Sequence, residues 1–112
     1  MITIALLRKI SSTTSEDLAT LSAELHEGKK LPSAKEDADV KRLLKNPDVA
    51  LIVAKDGSTI VGMATLFILQ KVGKRSGMVE DVVVSSKYRG HGIGETLMRT
   101  VVKEAKKRNL AS

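Results

Sequence analysis

Cysteine and tryptophan are absent from this 112-residue chain, and its only other aromatic side chains are one phenylalanine and one tyrosine. Without cysteine there is no disulfide framework, no thiolate nucleophile and no cysteine-ligated zinc. The two histidines, His26 and His91, lie far apart in sequence, so no metal site is expected. The scarcity of aromatics removes the platforms on which unpaired bases stack. The formal charge of +6 therefore does not read as nucleic-acid binding. Much of that surplus sits in Lys103, Lys106, Lys107 and Arg108, near a helix end where it complements the macrodipole and reads as a solvated face. Long apolar runs are missing too. The longest, residues 63–69, is interrupted by Thr65 and falls far short of a membrane span. No basic leader precedes an apolar core at the N-terminus, so no signal peptide or membrane partner is expected, and the expected location is cytoplasmic.

What remains is an ordinary globular balance, 42% hydrophobic and 29% charged residues, in a length that suits one domain over residues 1–112. Ile2, Ile4 and Leu6 alternate with Thr3, Ala5 and Leu7, which predicts a strand over residues 2–8. Thr13-Thr14-Ser15-Glu16 carries the spacing of a capping box, and Leu18, Leu21 and Leu25 then fall on one helical face, with Gly28 as the stop. A second box, Ser33 to Glu36, opens a helix that buries Val40, Leu43 and Leu44 and ends at Asn46-Pro47. Two consecutive helices after one strand already depart from a simple strand–helix alternation.

Residues 49–54 are a strongly apolar strand, and Asp56-Gly57 is a strong hairpin signal toward a partner at about residues 59–69. Residues 71–77 read as a polar turn and 78–84 as the next strand. Beyond residue 92, Ile93, Leu97, Met98, Val101, Val102 and Ala105 line one side of a long helix. The expected fold is mixed α/β, in the order β-α-α-β-β-β-α. A mostly antiparallel central sheet would be flanked by helices.

The most informative stretch joins the last strand to the last helix: Val82-Val83-Val84-Ser85-Ser86-Lys87-Tyr88-Arg89-Gly90-His91-Gly92-Ile93-Gly94. A strand entering a glycine-rich turn gathers backbone N–H groups at a helix N-terminus, where the dipole also favours negative charge. Arg89 adds a fixed cation with bidentate geometry at the lip of the turn. Those residues are suited to cradling a phosphate. The alternative is a tight strand-to-helix connection with no ligand, and for Arg89 a surface ion pair.

The element order, with Arg89-Gly90-His91-Gly92-Ile93-Gly94 between strand and helix, resembles the GNAT superfamily of N-acetyltransferases. The family's pyrophosphate loop follows Arg/Gln-x-x-Gly-x-Gly/Ala, and Arg89, Gly92 and Gly94 fill its defined places. The resemblance implies a GNAT-like fold with acetyl-coenzyme A as acetyl donor and a primary amine as acceptor. It implies that Arg89 and the backbone amides of Gly90, His91, Gly92, Ile93 and Gly94 hold the pyrophosphate, the His91 side chain filling a variable position. In the family the preceding strand carries a bulge and offers its open edge to the pantetheine arm. Val82, Val83 and Val84 occupy that place and would act through main-chain groups.

Acetyl transfer needs a neutral amine, a polarised thioester carbonyl and a proton for the departing thiolate. A carboxylate can take the amine proton directly or through water. Glu80 and Asp81 lie just upstream of the cofactor strand, and the resemblance implies Glu80 as general base, with Asp81 as the other candidate. Regular alternation places Glu80 on one face with Val82 and Val84, and Asp81 on the opposite face. The bland alternative pairs either acid with Lys74 or Arg75 across the turn.

The family pattern continues past this helix into further strands and a helix that commonly carry a tyrosine acid. The resemblance therefore covers about the first two-thirds of that pattern, truncated after the cofactor-binding helix. The one tyrosine, Tyr88, is badly placed for that role. An uncovered strand edge and helix face predict self-association, as a homodimer or otherwise. A coenzyme A-binding module without turnover, and an interaction domain with a merely structural glycine turn, remain alternatives. Acidic residues of the first two helices, Asp17 and Glu24 among them, read as a solvated face or as a lure for a cationic amine.

Overall fold

The computed structural model describes residues 1–25 and 33–110, and for residues 33–37 the backbone only. The elements run β1 (Ile2–Leu6), α1 (Thr14–Leu25), α2 (Ser33–Lys45), β2 (Val49–Asp56), β3 (Thr59–Lys71), β4 (Lys74–Val84), a single 3-10 turn (Ser86–Tyr88) and α3 (Ile93–Lys107). The sheet order is β1-β2-β3-β4 with every pairing antiparallel. The expected mixed α/β architecture and element order are therefore what the chain adopts. Gly28 lies outside the described residues, as do the side chains of the box at 33–36.

Two apolar layers sandwich the sheet. Leu18 and Leu21 of α1 and Val40 of α2 pack with Leu51, Val53 and Met63 on one face. Ile93, Leu97 and Val101 of α3 pack with Ile52, Ala54 and Leu66 on the other. Alternation along β2 feeds both layers, which is why residues 50–54 are continuously apolar and buried. On α3 the inward stripe is Ile93, Leu97 and Val101, while Met98 and Val102 stay 37% and 48% exposed. Arg108, just past α3, donates from Nε to Glu104 Oε2 at 2.7 Å and from Nη1 to the Pro47 carbonyl at 3.2 Å. One of the helix-end cations thus ties α3 to the entrance of β2.

The strand boundaries correct the sequence reading in one place. The polar stretch 71–77 is not a loop: Lys71 pairs with Lys74, and only Val72 and Gly73 form the turn, with Gly73 at φ 79°. Lys74 and Arg75 are polar because they lie on an edge strand that meets solvent, where alternation no longer has to bury every second side chain, whereas a Cβ at Gly77 would stand 3.0 Å from Leu66 Cδ1 and 3.2 Å from Leu110 Cδ1.

Candidate functional site

The register between β3 and β4 breaks once. Met63 pairs with Val83 and Thr65 with Glu80, so Ala64 alone stands against both Asp81 and Val82. Two residues against one is a β-bulge, and Asp81 takes it up in the left-handed region at φ 55°. Aspartate is among the few side-chain-bearing residues that tolerate that region, because its short polar group can bond locally.

The bulge resets which side chains share a face, and this overturns the period-two expectation for Glu80. Val79 packs toward α3, and so does Val84; regular alternation would have put them on opposite faces. Val83 joins Met63 in the layer beneath α1 and α2. Glu80, paired with Thr65 two residues along β3 from Met63, lies on the face of Val83, not of Val84. Val82 is 38% exposed beside the bulge. Glu80 and Asp81 are both exposed, and they share a strand with Lys74 and Arg75 instead of facing them across a turn.

Beyond β4 the chain is stapled on several sides. The Ser85 N–H donates to the Val61 carbonyl at 2.8 Å, the Ser86 N–H to Glu24 Oε1 at 3.2 Å, and the Tyr88 N–H to the Ser85 carbonyl at 2.8 Å. The Tyr88 hydroxyl donates to Asp56 Oδ2 at 2.6 Å, and this bond is the main reason its pKa is raised above the ordinary 10.0. Arg89 turns back so that its Nε donates to the Val84 carbonyl at 3.1 Å, fixing the guanidinium at the strand's end. No local pattern signals these staples, because Glu24 and Asp56 come from distant parts of the chain. Asp17 likewise serves as an anchor, its Oδ2 accepting the Ile60 N–H at 3.0 Å. Together α1, the β2–β3 hairpin and residues 85–88 enclose a pocket of about 340 Å³.

The glycines then set the amides. Gly90 and Gly92 stand at φ 85° and 77°, and a Cβ on either would meet nothing within 4 Å. Backbone conformation, not crowding, selects glycine there, and the space before the loop is open. Gly92 is the N-cap of α3 and no side chain caps it. The first bond into the helix is from the Thr96 N–H to the Gly92 carbonyl at 3.1 Å. Among the described residues, no hydrogen bond engages the backbone N–H groups of residues 89–95. Gly94 packs close to β4, where a Cβ would stand 3.7 Å from Val84 Cγ2. Ile93 is 5% exposed, so its side chain anchors the loop in the core while its amide stays at the helix start. His91 is exposed. The structure therefore brings Val84, Arg89, Gly90, His91, Gly92, Ile93 and Gly94 together around an uncapped helix N-terminus. Glu80 and Asp81 sit apart from them, upstream along the strand. Among the described residues, no three His, Asp or Glu side chains gather where they could hold a metal ion.

The model of the Acetyltransferase (GNAT) family matches residues 15–112. The chain belongs to the GNAT acetyltransferase family. No curated protein sequence matches it. Among solved structures it is similar to glucosamine-6-phosphate N-acetyltransferase from Arabidopsis thaliana, with a TM-score of 0.81 at 18% identity, covering 96% of this chain and 78% of that one. A ribosomal-protein-alanine N-acetyltransferase from Brucella melitensis biovar Abortus 2308 gives 0.74 at 25% identity, over 99% and 76% of the two chains. A predicted acetyltransferase with acetyl-CoA from Clostridium acetobutylicum gives 0.74 at 18% identity, over 100% and 78%. The bulged β4, the glycine loop and α3 are thus set in a GNAT acetyltransferase fold. No helix among the described residues is long and apolar enough to cross a membrane.

Proposed function

We propose that this GNAT chain transfers an acetyl group from acetyl-CoA to a primary amine. One observation carries the reading: directly after a bulged strand, Gly90 and Gly92 hold left-handed conformations that leave the first-turn amides of α3 uncapped before open space. Such a helix start favours a diphosphate through both its N–H groups and its dipole. Arg89 supplies the neighbouring positive charge. The exposed edge at Val82 would offer main-chain groups to an extended amide-bearing arm, and a backbone N–H near Val82 would polarise an acyl carbonyl. When bound, the coenzyme supplies the activated acyl group.

Glu80 is the base of this reading, with Asp81 in the bulge beside it as the second candidate. A carboxylate there takes the proton lost when the amine nitrogen bonds to the acyl carbon, and the carbon–sulfur bond then breaks. Two of the relatives named above are named for different acceptors, glucosamine-6-phosphate for one and a ribosomal-protein alanine for the other. That diversity supports no single acceptor for this chain. The Tyr88 hydroxyl is already committed to Asp56, so it is not the group that protonates a departing thiolate.

The test is calorimetric titration with acetyl-CoA, followed by thiol release against amino acids, polyamines, aminoglycosides, sugar amines and peptide N-termini. Binding that Arg89→Glu abolishes, with turnover that Glu80→Gln removes while binding persists, supports the transferase. Binding without thiol release for any amine favours the non-catalytic reading. Affinity unchanged in Arg89→Glu overturns the loop assignment.

A further inference from the structure

Across the sheet from β4, five cations and no carboxylate among the described residues line a trench beside β1 and α2. One part, a groove of about 470 Å³, runs between residues 8–10 and the last turns of α2, with Arg8, Lys9, Lys41 and Lys45 around it. A second part of about 510 Å³ shares Arg8 and Lys9 and continues along β1 to Lys55. None of the five joins an ion pair among the described residues, although Arg42, beside Lys41, is paired with Asp39. Lys41 and Lys45, four positions apart on one helix, repel each other. The C-terminal dipole of α2 supplies about half a negative charge, too little to balance four cations gathered at that end. A partner that brings negative charge relieves the repulsion.

We propose that this trench docks an extended acidic segment of a partner protein, with its carboxylates on the five cations and apolar side chains between them on Ile10 and Leu44. The spacing selects a chain over a single anion. Lys55 stands opposite Thr3, five residues before Arg8, which is about 16 Å of strand. Lys41 and Lys45 add about 6 Å along α2. One phosphate cannot meet charges strung out in this way, whereas six or so extended residues, at about 3.3 Å each, can. The floor selects a peptide. Ile10 and Leu44 are half-buried and packed on the core beneath the cations, so they accept an aliphatic side chain. Recessed apolar groups of this kind do not insert into a bilayer, which takes up protruding ones. A nucleic-acid strand brings no aliphatic group to that floor, and neither Phe67 nor Tyr88 lines the trench as a platform for a base.

The trench uses none of the residues assigned to acetyl transfer. β1 and β4 are the first and last strands of the sheet, three strand spacings or about 14 Å apart. Docking at one and coenzyme binding beyond the other therefore stand or fall separately.

Fluorescence anisotropy with a labelled peptide of three Glu-Glu-Leu repeats tests this on the purified chain at low ionic strength. Saturable binding that weakens with salt is expected, and a Gln-Gln-Leu peptide should not bind. Lys41→Glu and Lys45→Glu should each weaken binding about tenfold, since each turns an attraction into a repulsion at short range. Serine in place of the peptide's leucines should weaken it about fivefold through loss of the apolar contact. The double variant Lys106→Glu/Lys107→Glu makes a larger charge change at the end of α3 and should leave affinity within about twofold, because screening confines the effect to nearby charges. Circular dichroism confirms that each variant folds, and acetyl-CoA titration of the same variants reads the glycine loop separately. Three results would each overturn the proposal: an acidic peptide that binds no better than its glutamine counterpart, an equal loss in the α3 variant, or tighter binding of oligothymidylate or phosphatidylserine vesicles through Lys41 and Lys45.

Discussion

The Tyr88 hydroxyl donates a 2.6 Å hydrogen bond to Asp56 Oδ2, joining the turn after β4 to the end of β2 across thirty-two positions of sequence. The bond closes one wall of the pocket beside the glycine loop. It also fixes the direction of a titration. A tyrosine whose folded pKa is raised keeps its proton where the unfolded chain has begun to lose it, because the proton is what the Asp56 carboxylate binds. Its stabilising effect is complete below the unfolded value near 10 and is lost as pH climbs toward the folded value. Since Tyr88 is the only tyrosine and tryptophan is absent, tyrosinate absorbance reports this group alone. The midpoint should lie above 10 in the parent and fall toward 10 in Asp56→Asn. Tyr88→Phe should lower stability in urea unfolding near neutral pH, because it removes the donor to the Asp56 carboxylate.

Gly92 and Gly94 should respond oppositely to alanine. At φ 77° and with open space around it, Gly92→Ala pays only for backbone conformation, about 1–2 kcal/mol of stability. Gly94 lies within α3 with right-handed geometry and room for a Cβ at 3.7 Å from Val84. Gly94→Ala should therefore raise stability of the free protein by about 0.5–1 kcal/mol, the usual gain from removing a helical glycine. If these amides hold a diphosphate, the same methyl should weaken acetyl-CoA binding despite the greater stability. Paired unfolding and titration curves on both variants check this, and a Gly94→Ala protein that binds as tightly as the parent counts against the cradle.

The sequence disclosed the element order because each helix and strand carried its own local signal: capping residues, the Asp56-Gly57 hairpin and the apolar periodicity of α3. Gly90 and Gly92 were legible for the same reason, since a glycine required for left-handed backbone is a local necessity. The bulge was expected from the family resemblance but not from the residues themselves. It is made by Asp81, with no glycine or proline to mark it, and its effect is to move Glu80 to the face opposite from the one that simple alternation assigns. The turn at Val72-Gly73 was obscured because edge strands admit polar residues, so Lys74, Arg75 and Ser76 looked like loop. The staples were hidden by distance: Asp17 reaches Ile60 over forty-three positions and Glu24 reaches Ser86 over sixty-two. No short window of sequence contains both partners.

Those two acids of α1 give the last expectation. Both accept a backbone N–H near the candidate site, but their surroundings differ. The Asp17 bond at 3.0 Å is partly buried, whereas the Glu24 bond at 3.2 Å is exposed, so water replaces the second far more readily than the first. Removing Asp17 leaves the Ile60 amide, at the start of β3, without its acceptor in a half-shielded place, and that desolvation penalty adds to the lost bond. Asp17→Ala should cost about 1–2 kcal/mol, and Glu24→Ala no more than about 0.5 kcal/mol, within the range of ordinary surface substitutions. Glu24→Ala should act instead on local opening: the Ser86 amide should exchange its hydrogen faster while the β2 and β3 amides keep their protection. Hydrogen exchange with denaturant titration separates the two variants. Equal stability losses would mean that the exposed contact is as well shielded as the buried one, and that α1 is pinned to the loop at both ends.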